Sequence, residues 1–242
     1  TPKPSSAASD VYKRQVLMRI AKATFALACA LAAIAAPTAA YAVPQNTVIM
    51  PGDTIKAKYL VATSTCTAAA PVRDNHGGLY LLTAGHCVNG KLGEIVGQPI
   101  YHNQKLIGHV RSAQFEIADY AVIKLQSNVK VGHNDVPHFA YLGQVSPDSQ
   151  ICFHGTKSGV RCGKVNRENE ITYMRGAFVP GIVIGTSATL RSISGDSGSA
   201  VYTDKGVIGI LSGGRDGITT YVPIESIYSR ASRTIPGFRI TD

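Results

Sequence analysis

The sequence predicts an all-β protein, a sandwich or a barrel, on three observations. Apolar residues recur in short alternating or continuous runs, turn formers rich in glycine stand between those runs, and hardly any segment before Pro223 carries the period of an amphipathic helix. In chain order the strands read as Leu79–Thr83, Lys105–Val110, Tyr120–Leu125, Ile171–Tyr173, Gly181–Ile184, Ala200–Tyr202, Val207–Leu211 and Ile218–Val222. Asp74-Asn75-His76-Gly77-Gly78, Asp204-Lys205-Gly206 and Arg215-Asp216-Gly217 supply turns between them. Ile224 to Ser232 reads as one short terminal helix. Asn134–Ser149, polar and containing Pro137 and Pro147, reads as a linker, dividing residues 43–140 from residues 141–242.

The first forty-two residues stand apart. The run Ser5 to Gln15 resembles the in-frame translation of a sequencing adapter, so residues 1–17 are set aside as an artefact. Residues 18–42 read as a signal peptide. Arg19 and Lys22 form its basic start, Ala23 to Ala36 is apolar, and Ala40-Tyr41-Ala42 offers a small-x-small cleavage site. The apolar stretch is shorter than the ~20 residues that span a bilayer, so cleavage after Ala42 is expected rather than anchoring. The exported chain, Val43 to Asp242, is then extracellular and off the membrane. Up to Ala57 it offers no convincing strand, which leaves little room for a long pro-region.

The formal charge of +9 falls without the leader, because 19 Lys and Arg then face 14 Asp and Glu. The surplus is spread along the chain instead of clustering with aromatics, so no nucleic-acid partner is expected. Cys29 belongs to the leader, leaving four cysteines in an oxidising compartment. Cys66 with Cys87 and Cys152 with Cys162 joins neighbouring segments and is the expected pairing. No C-x-x-C pair is present, and no metal or cofactor is implied.

Three segments carry chemistry: Leu82-Thr83-Ala84-Gly85-His86-Cys87, Ile117-Ala118-Asp119-Tyr120-Ala121-Val122 and Gly195-Asp196-Ser197-Gly198-Ser199. Amide hydrolysis by a serine needs a base for the hydroxyl proton, a carboxylate to orient that base, and amide donors for the oxyanion. Each motif alone has an ordinary reading: a histidine before a structural cysteine, an aspartate ending a strand, a Gly-Asp-Ser-Gly turn. Together, in this order, they specify His86, Asp119 and Ser197. His76, His102, His109, His133, His138 and His154 have no motif around them, and Asp135 lacks a following strand.

From about Ala62 to Ile224 the chain resembles the chymotrypsin-like serine proteases, most closely the small bacterial streptogrisins and α-lytic protease. The resemblance implies two perpendicular antiparallel Greek-key β-barrels of six strands each, with the active site in the cleft between them and a short C-terminal helix. It implies His86 as general base, Asp119 as its orienting carboxylate, Ser197 as nucleophile, and the N–H groups of Gly195 and Ser197 as the oxyanion hole. Arg191, Ser192, Ser194, Ser212, Gly213 and Gly214 correspond to the substrate-binding segments. Substrates are then proteins or peptides, cleaved by a monomeric endopeptidase. A protease fold that has lost turnover and only binds is the alternative.

Four departures qualify this. Ser199 stands where Gly is usual. Ile193 occupies the place of a pocket-bracing cysteine. The pocket base has Arg191 and Ser192 in place of the carboxylate of Lys/Arg-specific members, and Leu211 replaces the histidine of glutamyl-specific ones, so an apolar residue before the scissile bond is expected, with Arg191 turned to solvent. Finally, Phe153 stands where bacterial relatives place the arginine that pairs with Asp196. His154, Arg161, Lys157 or the new N-terminal amine are the expected substitutes, because a buried carboxylate without a partner is costly.

Overall fold

The structure is a computed structural model that describes residues 46–89, 96–175 and 180–241. The adapter-like run and the signal peptide lie outside the described residues. In the first half the strands are β1 (Thr47–Ile49), β2 (Thr54–Lys58), β3 (Thr63–Thr67), β4 (Pro71–Arg73), β5 (Leu79–Thr83), β6 (Pro99–His102), β7 (Lys105–Glu116), β8 (Ala118–Leu125) and β9 (Val129–Val131). The second half holds β10 (Gln150–Gly155), β11 (Gly159–Arg175), β12 (Pro180–Ala188), β13 (Ala200–Thr203), β14 (Gly206–Arg215) and β15 (Ile218–Pro223), then helix α1 (Ile224–Ala231) and β16 (Arg239–Ile240).

Six strands of the second half close a barrel in the order β10-β11-β12-β15-β14-β13. The first half forms a sheet of order β16-β4-β5-β8-β7-β6-β2-β3. Its two ends meet, because Ala68–Ala70 runs directly from β3 into β4. Along this stretch the Ala69 N–H donates to Leu82 O (2.9 Å) and the Leu82 N–H to Ala70 O (3.0 Å). With β3 and β4 taken as one bent strand, the first half is a six-membered ring too, and the expected pair of barrels is present. The last strand does not stay with the second half: β16 pairs with β4.

Alternation drives the sheets as it should. In β2 the Ile55 and Ala57 side chains are buried while Lys56 and Lys58 face solvent. β8 is buried along nearly its whole length, and its sequence is correspondingly a continuous apolar run after Asp119. Phe153, Ile151, Leu190 and Leu211 fill the second barrel, each contributing about 1.5–3 kcal/mol on burial. In α1, Ile224, Ile227 and Ala231 are buried, Pro223 sits at the N-terminal boundary, and Glu225 and Arg230 complement the helix dipole.

Three expectations need correction. Residues 43–57 are not strand-free: β1 and most of β2 lie there, β1 pairing parallel with the distant β9. Strand β11 runs seventeen residues, not the three of Ile171–Tyr173: it pairs first with β10 and then with β12, and only Val165 and Met174 along it are buried, so little of it shows an apolar alternation in sequence. Strand β8 begins at Ala118, so Asp119 lies inside a strand.

Candidate active site

His86 sits in a single 3-10 turn, Gly85–Cys87, that follows β5. The Cys66–Cys87 disulfide ties this turn to β3. Asp119 is fully buried at the start of β8 and grips His86 twice. Its Oδ1 accepts the His86 backbone N–H at 2.8 Å, and its Oδ2 lies 2.7 Å from Nδ1. The first bond fixes which carboxylate oxygen faces the ring, and an ionised Asp119 then requires Nδ1 to carry its proton, leaving Nε2 as an acceptor. Burial alone would lower the imidazole pKa, but the charge of Asp119 and its hydrogen bond outweigh that and raise it above the ordinary 6.5.

The single residue between β7 and β8, Ile117, has φ of 68°, a conformation that β-branched residues rarely adopt. It is held by the second barrel: its N–H donates to Ile182 O (2.7 Å), and its carbonyl accepts the Ile184 N–H (2.9 Å). This left-handed corner brings Asp119 under His86 while stitching the two barrels together.

Ser197 comes from the other barrel and lines the same cleft as His86. Among the described residues no hydrogen bond joins its hydroxyl to Nε2, and such contacts commonly tighten only when substrate is bound. The preceding loop is heavily constrained. Gly195 adopts φ of 106°, and a Cβ there would sit 2.8 Å from Lys157 Cγ, so the position requires glycine. The Thr67 hydroxyl donates to Gly195 O at 2.8 Å, and the Thr67 N–H donates to Ser197 O at 2.8 Å. No hydrogen bond occupies the N–H groups of Gly195 and Ser197 among the described residues, leaving both donors open to a ligand.

Asp196 is fully buried and has no cation beside it among the described residues. Of the expected substitutes, Arg161 is exposed and His154 lies against Gly52 and Asn134, while the new amine at Val43 lies outside the described residues; Phe153, at the position of the relatives' arginine, is packed in the second barrel. Neutral donors surround the carboxylate instead. Oδ1 accepts the N–H groups of Lys157 (2.9 Å) and Ser158 (3.0 Å), and Oδ2 accepts the Ser158 hydroxyl (2.5 Å) and the Ile193 N–H (2.9 Å). Lys157 thus contributes its backbone, not its ammonium group. Gly155 makes the approach possible, since a Cβ there would collide with Asp196 Oδ1. Ser199 also finds a use: its hydroxyl donates to Asp196 O at 2.6 Å.

The cleft encloses about 1280 Å³. Ser192, Ser194, Ser212, Gly213 and Gly214 line it, together with β11 and β15 residues that carried no motif: Glu170, Tyr173, Met174, Ile218 and Thr220. Arg191 is exposed and outside this lining. The Ser192 hydroxyl is 2.9 Å from Thr219 Oγ1, which in turn donates to Leu190 O, so this wall is neutral and internally satisfied. Both expected disulfides are formed, and Cys152 lies directly opposite Cys162 on β10 and β11. The donor atoms of Cys66, His86 and Cys87 lie within 4.8 Å of one another, but both sulfurs are spent in a disulfide and offer no thiolate to a metal.

Comparison with known proteins agrees with this architecture. The trypsin family model matches residues 54–233. The chain is 27% identical over 175 residues to "Serine protease 2" of Streptomyces fradiae, an alignment covering 66% of this chain and 92% of that protein. Among solved structures it is similar to Thermobifida fusca protease A, with a TM-score of 0.62 and 22% identity over 81% of this chain and 99% of the other. Nocardiopsis protease superposes with a TM-score of 0.65 and 20% identity, over 81% and 100% of the two chains. Likeness at that identity speaks for the fold, whereas the family match runs from β2 through α1 and takes in both walls of the cleft. This chain therefore belongs to the trypsin family of serine proteases, whose substrates are proteins and peptides.

Proposed function

We propose that the protein is a secreted endopeptidase that hydrolyses peptide bonds through an acyl-enzyme on Ser197. The observation that carries this reading is the double grip of Asp119 on His86, which leaves Nε2 as a proton acceptor at the cleft that Ser197 also lines. His86 takes the hydroxyl proton as Oγ bonds to the substrate carbonyl carbon. The Gly195 and Ser197 N–H groups donate to the developing oxyanion, each worth about 2.7–4 kcal/mol in such sites. His86 then gives that proton to the leaving amine as the C–N bond breaks, and water attacks the ester by the same route in reverse. Export is supported by four cysteines all engaged in disulfides.

Recognition of the substrate main chain falls to Ser212–Gly214 by strand addition. An uncharged, apolar side chain before the scissile bond suits the neutral Ser192–Thr219 wall with Met174 and Ile218 nearby. Digestion of a peptide library, read by mass spectrometry, tests activity and preference together. Cuts after apolar residues, absent in Ser197→Ala, are expected. Dominant cuts after Glu, Lys or Arg would overturn the preference, and no cleavage at all would favour a binding protein. An unpartnered Asp196 would have spoken for that rival, and the four donors around the carboxylate remove this ground.

A further inference from the structure

The loop that carries Gly195 and Ser197 owes its shape to Asp196, and the groups that hold Asp196 are unusual in being neutral. We propose that Ser158, on the turn between β10 and β11, is a positioning residue that locks the oxyanion loop in its working shape, in place of a cation or a freed N-terminal amine. This rests on the endopeptidase reading and names how its oxyanion donors are kept aligned.

A carboxylate has about four acceptor sites, and here all four are filled by the N–H groups of Lys157, Ser158 and Ile193 and the Ser158 hydroxyl. An arriving ammonium or guanidinium would have to displace one of them. The turn is itself fixed from the far side. The Thr156 N–H donates to Thr67 Oγ1 (3.1 Å), the hydroxyl that in turn donates to Gly195 O, and the Thr156 side chain bonds that of Thr54 on β2. One rigid circuit therefore runs from β2 and β3 through residues 156–158 to both ends of the Gly195–Asp196 segment. Ser158 Oγ is the one side-chain donor on the carboxylate.

Three proteins test this: wild type, Ser158→Ala and Ser158→Thr. Each is assayed for kcat and KM on a peptide amide, for inhibition by a peptide aldehyde whose hemiacetal oxyanion needs the Gly195 and Ser197 donors, and for thermal stability. Losing one hydrogen bond to a charged group predicts a fall of about tenfold or more in kcat for Ser158→Ala, with KM nearly unchanged and aldehyde binding weakened in proportion. Ser158→Thr, which keeps the hydroxyl, restores both. Acetylation of the N-terminal amine of the wild type leaves kcat unchanged. If Ser158→Ala fails to fold, Asp196→Asn serves instead, since its oxygen would keep the Lys157 and Ser158 N–H groups while its NH2, on the Oδ2 side, would oppose the Ile193 N–H and force the Ser158 hydroxyl to turn round; it must lose kcat and aldehyde affinity together. An active wild type whose Ser158→Ala keeps both properties, or one that loses activity on acetylation, overturns this inference alone. A wild type that neither cleaves nor binds the aldehyde overturns the endopeptidase reading with it.

Discussion

Replacing Asp119 by Asn removes a charge without changing volume, and the geometry dictates how the imidazole responds. The His86 backbone N–H needs an acceptor 2.8 Å away, so the Asn oxygen takes the place of Oδ1 and its NH2 group faces the ring at the 2.7 Å position. Nδ1 must then accept, which puts the ring proton on Nε2, where it blocks transfer from Ser197. A tautomer error of this kind costs on the order of 10⁴ in kcat, or about 5.4 kcal/mol of transition-state stabilisation. The pH profile moves as well. In the wild type Asp119 raises the His86 pKa, so kcat/KM falls with acid on a limb centred above 6.5. Without that charge burial dominates, and the limb shifts to lower pH. By the same linkage, the His86–Asp119 pair stabilises the fold fully below the unfolded pKa of about 6.5, a contribution lost as pH rises through the higher folded value. Steady-state kinetics of both proteins on a peptide amide between pH 5 and 9 decide the matter. A variant within tenfold of wild type, or one with an unmoved acid limb, would refute the assigned pairing.

Other consequences are as direct. Removing either disulfide by paired Cys→Ala changes should cost about 3 kcal/mol, given sequence separations of 21 and 10, as read by chemical denaturation. Only loss of Cys66–Cys87, which anchors the His86 turn, should also lower kcat in protein that remains folded. Gly155→Ala drives a methyl into Asp196 Oδ1, so peptidase activity should drop about tenfold or more together with the melting temperature. Phe153→Arg, which installs the cation of bacterial relatives, should destabilise rather than improve the protein, because its guanidinium must displace donors that already fill the Asp196 carboxylate and the change removes a packed ring from the second barrel; a variant more stable and active than the wild type would contradict the described core.

What could be read from the sequence was local. His86, Asp119 and Ser197 each sit in a short motif, and the apolar runs of β5, β8 and β14 show their burial directly. The rest was hidden for physical reasons. The donors on Asp196 are mostly backbone N–H groups, which every residue but proline supplies, so no residue type marks residues 156–158. Thr67 bonds to the oxyanion loop from a polar strand, Thr63–Thr67, whose letters resemble a loop. Along the outer part of β11 the apolar Ile171 and Tyr173 are the exposed residues while Glu170 and Met174 are less exposed, so apolar letters do not mark the buried side and Glu170 and Met174 gave no hint that they line the cleft. β16 owes its existence to an edge offered by β4, which lies far away in sequence.

Whether Ser197 is a nucleophile activated by His86 can be settled by intact mass spectrometry after exposure to a fluorophosphonate. One adduct per folded molecule is expected, mapped to Ser197, with peptidase activity lost in step and no adduct in Ser197→Ala or in the wild type unfolded in denaturant. Folded protein that stays unmodified, or an adduct on any other residue, would contradict that role for Ser197.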